Sequence, residues 1–232
     1  MAVTLFGGGV SDMRGSIGGT TFTRTKAGSI SRQRVKPTNP QTTFQTDQRS
    51  ILTELSQAWG QVLTQAQRDA WAVFGVNFPS TNKLGQAVIL SGIQAFSRIG
   101  ARLVSVGESY LANAPADQNV SELQTLTLTA DIGAGDFAAG FTFVGDDSDD
   151  RLVLRLTPGL SPGLSNIANR LRQVGALVVA SVSPEDIEAL YVARFGGLPQ
   201  VGQKVVMRGH YLRVANGAVS SELQAYAIVV ST

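Results

Sequence analysis

Residues 14–71, RGSIGGTTFTRTKAGSISRQRVKPTNPQTTFQTDQRSILTELSQAWGQVLTQAQRDAW, constrain the fold more than any other stretch. A basic, glycine-broken, proline-ended segment runs directly into two short capped helices. The first 40 residues hold too few apolar side chains to pack a core of their own, which predicts an arm that gains order on another macromolecule. Within it, Thr20–Arg24 and Ser29–Val35 alternate polar with small or apolar residues and read as short edge strands joined at Lys26-Ala27-Gly28. Pro37 and Pro40 then force extended backbone and end the arm.

Charge follows the same division. Residues 1–50 carry seven Lys or Arg and two Asp, a net +5, whereas the remainder is net −3. Such asymmetry predicts an acidic partner surface. The alternation in Ser31-Arg32-Gln33-Arg34 places both arginines on one strand face. Phe22, Arg24, Lys26, Ile30, Arg32, Arg34 and Lys36 are the candidate partner-binding residues. Phe22 is the only aromatic among the basic residues, so stacking on bases is poorly served, and a protein partner is favoured over nucleic acid.

Periodicity predicts a small helical domain over 41–106. A first helix at about 41–59 places Phe44, Ile51, Leu52, Leu55 and Trp59 on one face and stops at Gly60. A second opens at Thr64, with Gln67 completing a capping box, carries Trp71 and Phe74, and ends at Gly75. Gln61-Val62-Leu63 links the two as an αα-hairpin whose core Trp59 and Trp71 share. Ser91 caps a third helix near 92–104, with Ile93, Phe96, Ile99 or Gly100, and Leu103 buried, although Gly92 and Gly100 weaken it. Residues 107–121 have the composition of a linker.

The stretch 122–232 changes period. Segments around 126–129, 141–143, 152–156, 173–182, 204–214 and 223–230 read as six strands, and Asn216-Gly217 is a hairpin signal before the last. One helix interrupts them, capped by Ser183, with Pro184 at its first position, Ile187, Leu190 and Tyr191 on its apolar side, and Gly196-Gly197 as its stop. The fold class is therefore α+β. An extended arm (1–40), a helical domain (41–106) and a linker (107–121) precede an immunoglobulin- or fibronectin-like β-sandwich (122–232) with one inserted helix.

Chemistry is sparse. The chain has no cysteine, which fits synthesis in a reducing cytosol and removes thiol nucleophiles and thiolate metal sites. The N-terminus lacks the charged and apolar regions of a signal peptide, and no apolar run approaches membrane-spanning length. His210, the lone histidine, lies in an alternating strand without a nearby carboxylate and reads as a solvent-facing or satisfied strand residue. Asp146, Asp147, Asp149 and Asp150 are the best hard-cation candidate, but GDDSDD lacks EF-hand spacing and reads first as an acidic, solvated hairpin tip. Gly7-Gly8-Gly9 and the Gly15–Gly19 glycines lack the Lys-Ser/Thr ending of a phosphate loop. Glu185, Asp186 and Glu188 are explained by a helix start. These residues give no catalytic, cofactor or metal assignment.

The motifs GGTTFTR, SRQRVKPTNPQT, Gln48-Arg49, LSQAW and LTQAQRDAW, with a looser match at Ser91–Phe96 and at TPGLSPG, resemble a group of phage and prophage virion structural proteins. The resemblance covers most of the chain. It implies a non-enzymatic role in the virion without cofactors, in contact with major capsid or other virion proteins and repeated as a homo-oligomer in a symmetric assembly. A capsid cement or decoration protein is the first expectation. The alternatives are a tail or head–tail connector protein and a receptor- or glycan-binding module.

Overall fold

The computed structural model of the chain describes residues 2–3, 7–10, 12–25, 28–36, 38–81, 86–143, 150–178 and 183–232. Among these residues the fold is α+β, with four α-helices and three antiparallel sheets. The chain divides into two units, Met1–Thr46 and Asp47–Thr232.

In the first unit, β1 (Ala2–Val3), β2 (Gly15–Ile17), β3 (Thr20–Thr25) and β4 (Gly28–Gln33) form one sheet in the order β1-β4-β3-β2. Ile17 pairs with Thr20, so Gly18-Gly19 is a two-residue turn, and the positive φ of Gly18 (57°) suits that tight reversal. The two strands expected at sheet edges are the inner pair. The glycine-rich residues before them supply the outer strands.

The second unit begins with α1 (Thr43–Gln57), whose first turn straddles the division. The helix does not stop at Gly60. It continues as one π-helical turn, Ala58–Val62, before Leu63 turns extended. Leu55 is fully buried, but Phe44 and Leu52 are about half exposed, so the expected apolar face is narrower than its periodicity. Then α2 (Gln65–Asn77) starts at the Thr64–Gln67 capping box as expected, and α3 (Gly92–Val104) starts at a second box, Ser91–Gln94. Two expectations fail here for the same reason. Gly75 lies inside α2, where an added Cβ would sit 2.6 Å from the Leu90 carbonyl oxygen. Gly92 and Gly100 lie where α3 packs closely, since Cβ atoms there would meet the Ala72 backbone at 2.8 Å and Leu55 at 2.5 Å. These glycines serve close helix packing, not helix termination. Phe96, Ile99 and Leu103 are buried and Ile93 is not. Trp59 and Trp71 share the core through Phe96, each 5.5 Å from its ring.

Residues 107–121 are no free linker. Trp71 Nε1 donates to the Ala112 carbonyl (3.1 Å), Gln67 to Asn113 (2.9 Å), and Tyr110, Leu111 and Ala114 pack on the helical core. That core also contains Val153 and Leu212 from the strands that follow, so helices and sheet are built on shared apolar contacts.

All six expected strands form: β5 (Leu123–Asp131), β6 (Asp136–Phe143), β7 (Arg151–Leu156), β8 (Arg172–Val178), β10 (Lys204–Leu212) and β11 (Leu223–Ile228). Preceding β10 are β9 (Glu185–Asp186) and α4 (Glu188–Phe195). Pro184 therefore does not open a helix. Glu185 and Asp186 pair with Ala139 and Ala138 of β6 first, and Asp186 then accepts from the Glu188 amide at 2.8 Å. Gly196 ends α4 with φ 83°, as expected. The sheets run β11-β10-β7-β8 and β5-β6-β9, and one core takes Leu126, Phe137, Leu154, Ile187, Tyr191, Met207 and Tyr211 from both sheets and α4. Amide bonds between Ala130, Ile132 and Val230 (3.0 Å each) stitch the sheets along one margin. Asn216-Gly217 sits within a longer connection between β10 and β11, not in a two-residue turn. Among the described residues no helix is long and apolar enough to cross a membrane.

Candidate partner-binding surface

Strand register decides which of the candidate side chains meet. In the β3–β4 ladder Phe22 opposes Ser31, Thr23 opposes Ile30, Thr21 opposes Arg32 and Arg24 opposes Ser29. Successive side chains point to opposite faces, and directly paired residues share a face. Phe22 and Arg24 therefore lie on one face, joined by Ile17. Ile30 and Arg32 lie on the other, joined by Val3. The candidates do not form one patch: Phe22 and Arg24 lie on one face, and Ile30 and Arg32 on the other. β4 ends at Gln33, and the Arg34 amide donates to the Gly19 carbonyl at 2.8 Å, one step further along the same register. Lys36 follows as exposed, irregular backbone. Lys26, Pro37 and the Ala27 turn position lie outside the described residues.

No described residue of the first unit is buried. Phe22 and Ile30 are half-buried, whereas Val3, Ile17 and Val35 are 73%, 68% and 76% exposed. A four-stranded sheet with no fully buried side chain among its described residues keeps its ladder hydrogen bonds but has little of the hydrophobic term that holds most sheets together. Its outer strands add a second feature. Among the described residues, β1 pairs with Ile30 and Ser31 of β4, and no strand pairs with the outer edge of β2. Those edges present main-chain donors and acceptors to an incoming strand.

The electrostatics are unevenly committed. Asp12 accepts from Arg14 Nε at 3.0 Å and lies 3.8 Å from Arg24, so Arg24 is partly neutralised within its own unit. Arg32, Arg34 and Lys36 make no ion pair among the described residues. The division at Thr46 leaves the first unit with six Lys or Arg and one Asp.

His210 is half-buried in β10, and burial first, then Arg155, holds its imidazole below the usual histidine range, with Glu222 opposing. Glu222 is occupied by Arg155 (3.4 Å) and Arg208 (3.2 Å). Of the acidic loop, Asp146, Asp147 and Asp149 lie outside the described residues. Asp150 is 2% exposed rather than solvated, and its charge adds to the burial that pushes the Tyr211 phenol up. Among the described residues no three His, Cys, Asp or Glu side chains group as metal ligands. The Gly18-Gly19 turn joins two strands, whereas a phosphate loop leads into a helix.

Sequence reasoning located the basic strands. It missed the exposed apolar residues Val3 and Ile17 and the two-sided distribution, because both depend on pairings with residues that carry no strand pattern of their own. Compared with known proteins, the chain matches no family model, no curated protein and no solved structure.

Proposed function

We propose that the protein is a non-enzymatic structural component of a virion, docked on neighbouring subunits through its first unit. The observation that carries this reading is the β1–β4 sheet, which has a net positive charge and, among the described residues, holds no buried side chain and has strand edges that no strand covers. A neighbouring subunit supplies what the sheet lacks. A strand added along β2 gains main-chain bonds, apolar residues cover Ile17 and Phe22 or Val3 and Ile30, and carboxylates pair with Arg32 and Arg34. Each contact is weak, and repetition over a symmetric shell multiplies them. The resemblance of GGTTFTR, SRQRVKPTNPQT and LTQAQRDAW to virion structural proteins supports the same reading. The two sheets of the second unit then serve as an immunoglobulin- or fibronectin-like sandwich, carried on a capsid as cement or decoration.

Incorporation into particles tests the proposal. A chain lacking residues 1–40 keeps the second unit folded and fails to join particles assembled in its presence. Normal incorporation of that truncation defeats the docking role. Copy number in imaged particles then separates shell from tail, because a shell protein is present in hundreds of copies and a connector in a small ring. A gel-shift titration showing tight, steeply salt-dependent DNA binding by residues 1–46 replaces the protein partner with nucleic acid.

A further inference from the structure

The second unit contains a cavity of about 380 Å3 lined by Pro158, Arg170, Arg172, Arg194 and Phe195. These residues arrive from three places. Pro158 opens the β7–β8 connection, Arg170 and Arg172 close it, and Arg194 and Phe195 end α4. The connection is held in place. Leu160 and Ile167 pack with Val206 as a small buried cluster, and Leu160 exchanges backbone bonds with Lys204 at 2.9 and 2.8 Å. The Arg170 amide donates to Ile167 at 2.9 Å. Arg172 Nη1 donates to the carbonyls of Asn169 and Leu171, each at 2.9 Å, which fixes the plane of its guanidinium. On the other wall, Phe195 tilts against the buried Tyr191 ring at 4.6 Å.

Three arginines therefore line one open cavity, and among the described residues of its wall there is no carboxylate. Like charges gathered this way repel one another. Their clustering does not follow from a basic surface, since the Asp47–Thr232 unit carries thirteen Lys or Arg against sixteen Asp or Glu. The α4 dipole accounts for Arg194, in the last turn of that helix, but not for Arg170 or Arg172. Neither of those two forms an ion pair among the described residues. The planar fork of arginine matches oxyanions in bidentate geometry, and Pro158 and Phe195 give the cavity one apolar side.

We infer that this cavity binds a compact polyvalent oxyanion, bearing phosphate or clustered carboxylate groups. The site is separate from the β1–β4 surface and does not depend on its docking role.

Calorimetric titration of the full chain with pyrophosphate and, separately, with citrate tests the inference and distinguishes the two anion sources. Saturable binding that weakens with added salt is expected from at least one probe, and the tighter of the two assigns phosphate or carboxylate. Arg170→Gln and Arg194→Gln each weaken binding by about tenfold or more, as loss of a charge-assisted hydrogen bond requires. Arg170→Lys keeps the charge and loses the fork, so it binds between the two. All three positions are exposed. An unchanged melting temperature shows that these variants remain folded, and the single variants answer if the triple Arg→Gln variant does not fold. Absence of binding by both probes overturns the inference, as does unaltered affinity in the Arg→Gln variants.

Discussion

Asn216 is 4% exposed and donates its amide to Asp117 Oδ1 at 2.8 Å, tying the β10–β11 connection to the segment that follows the helices. The same amide reaches the Asn119 carbonyl at 2.8 Å, and Asn216 Oδ1 accepts from the Ala218 amide at 2.9 Å. Every hydrogen-bonding atom used here is directional, and removing the side chain strands its partners. Asn216→Ala lowers the unfolding free energy by about 1–3 kcal/mol, read from urea denaturation.

That contact also sets a pH dependence. The Asn216 amide, then the Asn119 backbone, holds the Asp117 carboxyl below its usual value of 3.8, and Thr232 does the same for Asp131. A carboxyl whose folded pKa is depressed stabilises the fold above its unfolded pKa, and this contribution is lost as pH falls through the folded value. Acid titration of Asn216→Ala therefore shows a shallower loss of stability below pH 3.8 than the parent. Parallel acid curves defeat this assignment.

Gly75→Ala sets helix propensity against packing. In an isolated helix the change stabilises by about 1 kcal/mol. Here the new methyl would lie 2.6 Å from the Leu90 oxygen and 3.2 Å from the Ser91 oxygen, both backbone atoms that cannot rotate away. The variant melts below the parent. A higher melting temperature shows that the 75–91 backbone yields.

Burial pushes the Tyr191 phenol up to about 12 from 10.0, and Tyr211 is raised in the same direction by burial first and Asp150 second. Both groups favour the neutral fold. Their contribution is full below pH 10 and lost as pH rises toward the folded values. Ultraviolet titration finds these two of the four tyrosines silent until alkaline unfolding releases them together.

Amide exchange compares the first unit, with no fully buried side chain among its described residues, with the packed second unit. Backbone amides of β3 and β4 in the free protein exchange far faster than those of β7 and β10, whose neighbours Leu154, Leu156, Val205 and Met207 are fully buried. Equal protection in the two sheets contradicts the docking proposal, because an internally stabilised sheet has no need of a neighbour.

Local chemistry made much of this fold legible. The Thr64–Gln67 box, the Ser91 cap, the Gly196 stop, the β3–β4 hairpin and six alternating strands all depend on residues close in sequence. What stayed hidden depends on distant ones. Gly75, Gly92 and Gly100 read as stops or weak points until Leu90, Ala72 and Leu55 come close. Pro184-Glu185-Asp186 has the composition of a helix start, yet pairing with Ala138 and Ala139 claims it for a strand. Residues 107–121 look like a spacer because their bonds to Trp71, Gln67 and Asn216 are spread across the chain. At the candidate surface the charges were visible and the faces were not, since only the register separates Phe22 and Arg24 from Ile30 and Arg32.

The bareness of the β1–β4 sheet bears on how its positions change over generations. A substitution at Val3 or Ile17, both largely exposed, disturbs no buried cluster among the described residues of its own unit, so internal stability exerts little selection there. Whatever amino-acid preferences persist at those sites across natural variants are imposed from outside, and the pattern of tolerated replacements becomes a mould of the surface they rest upon.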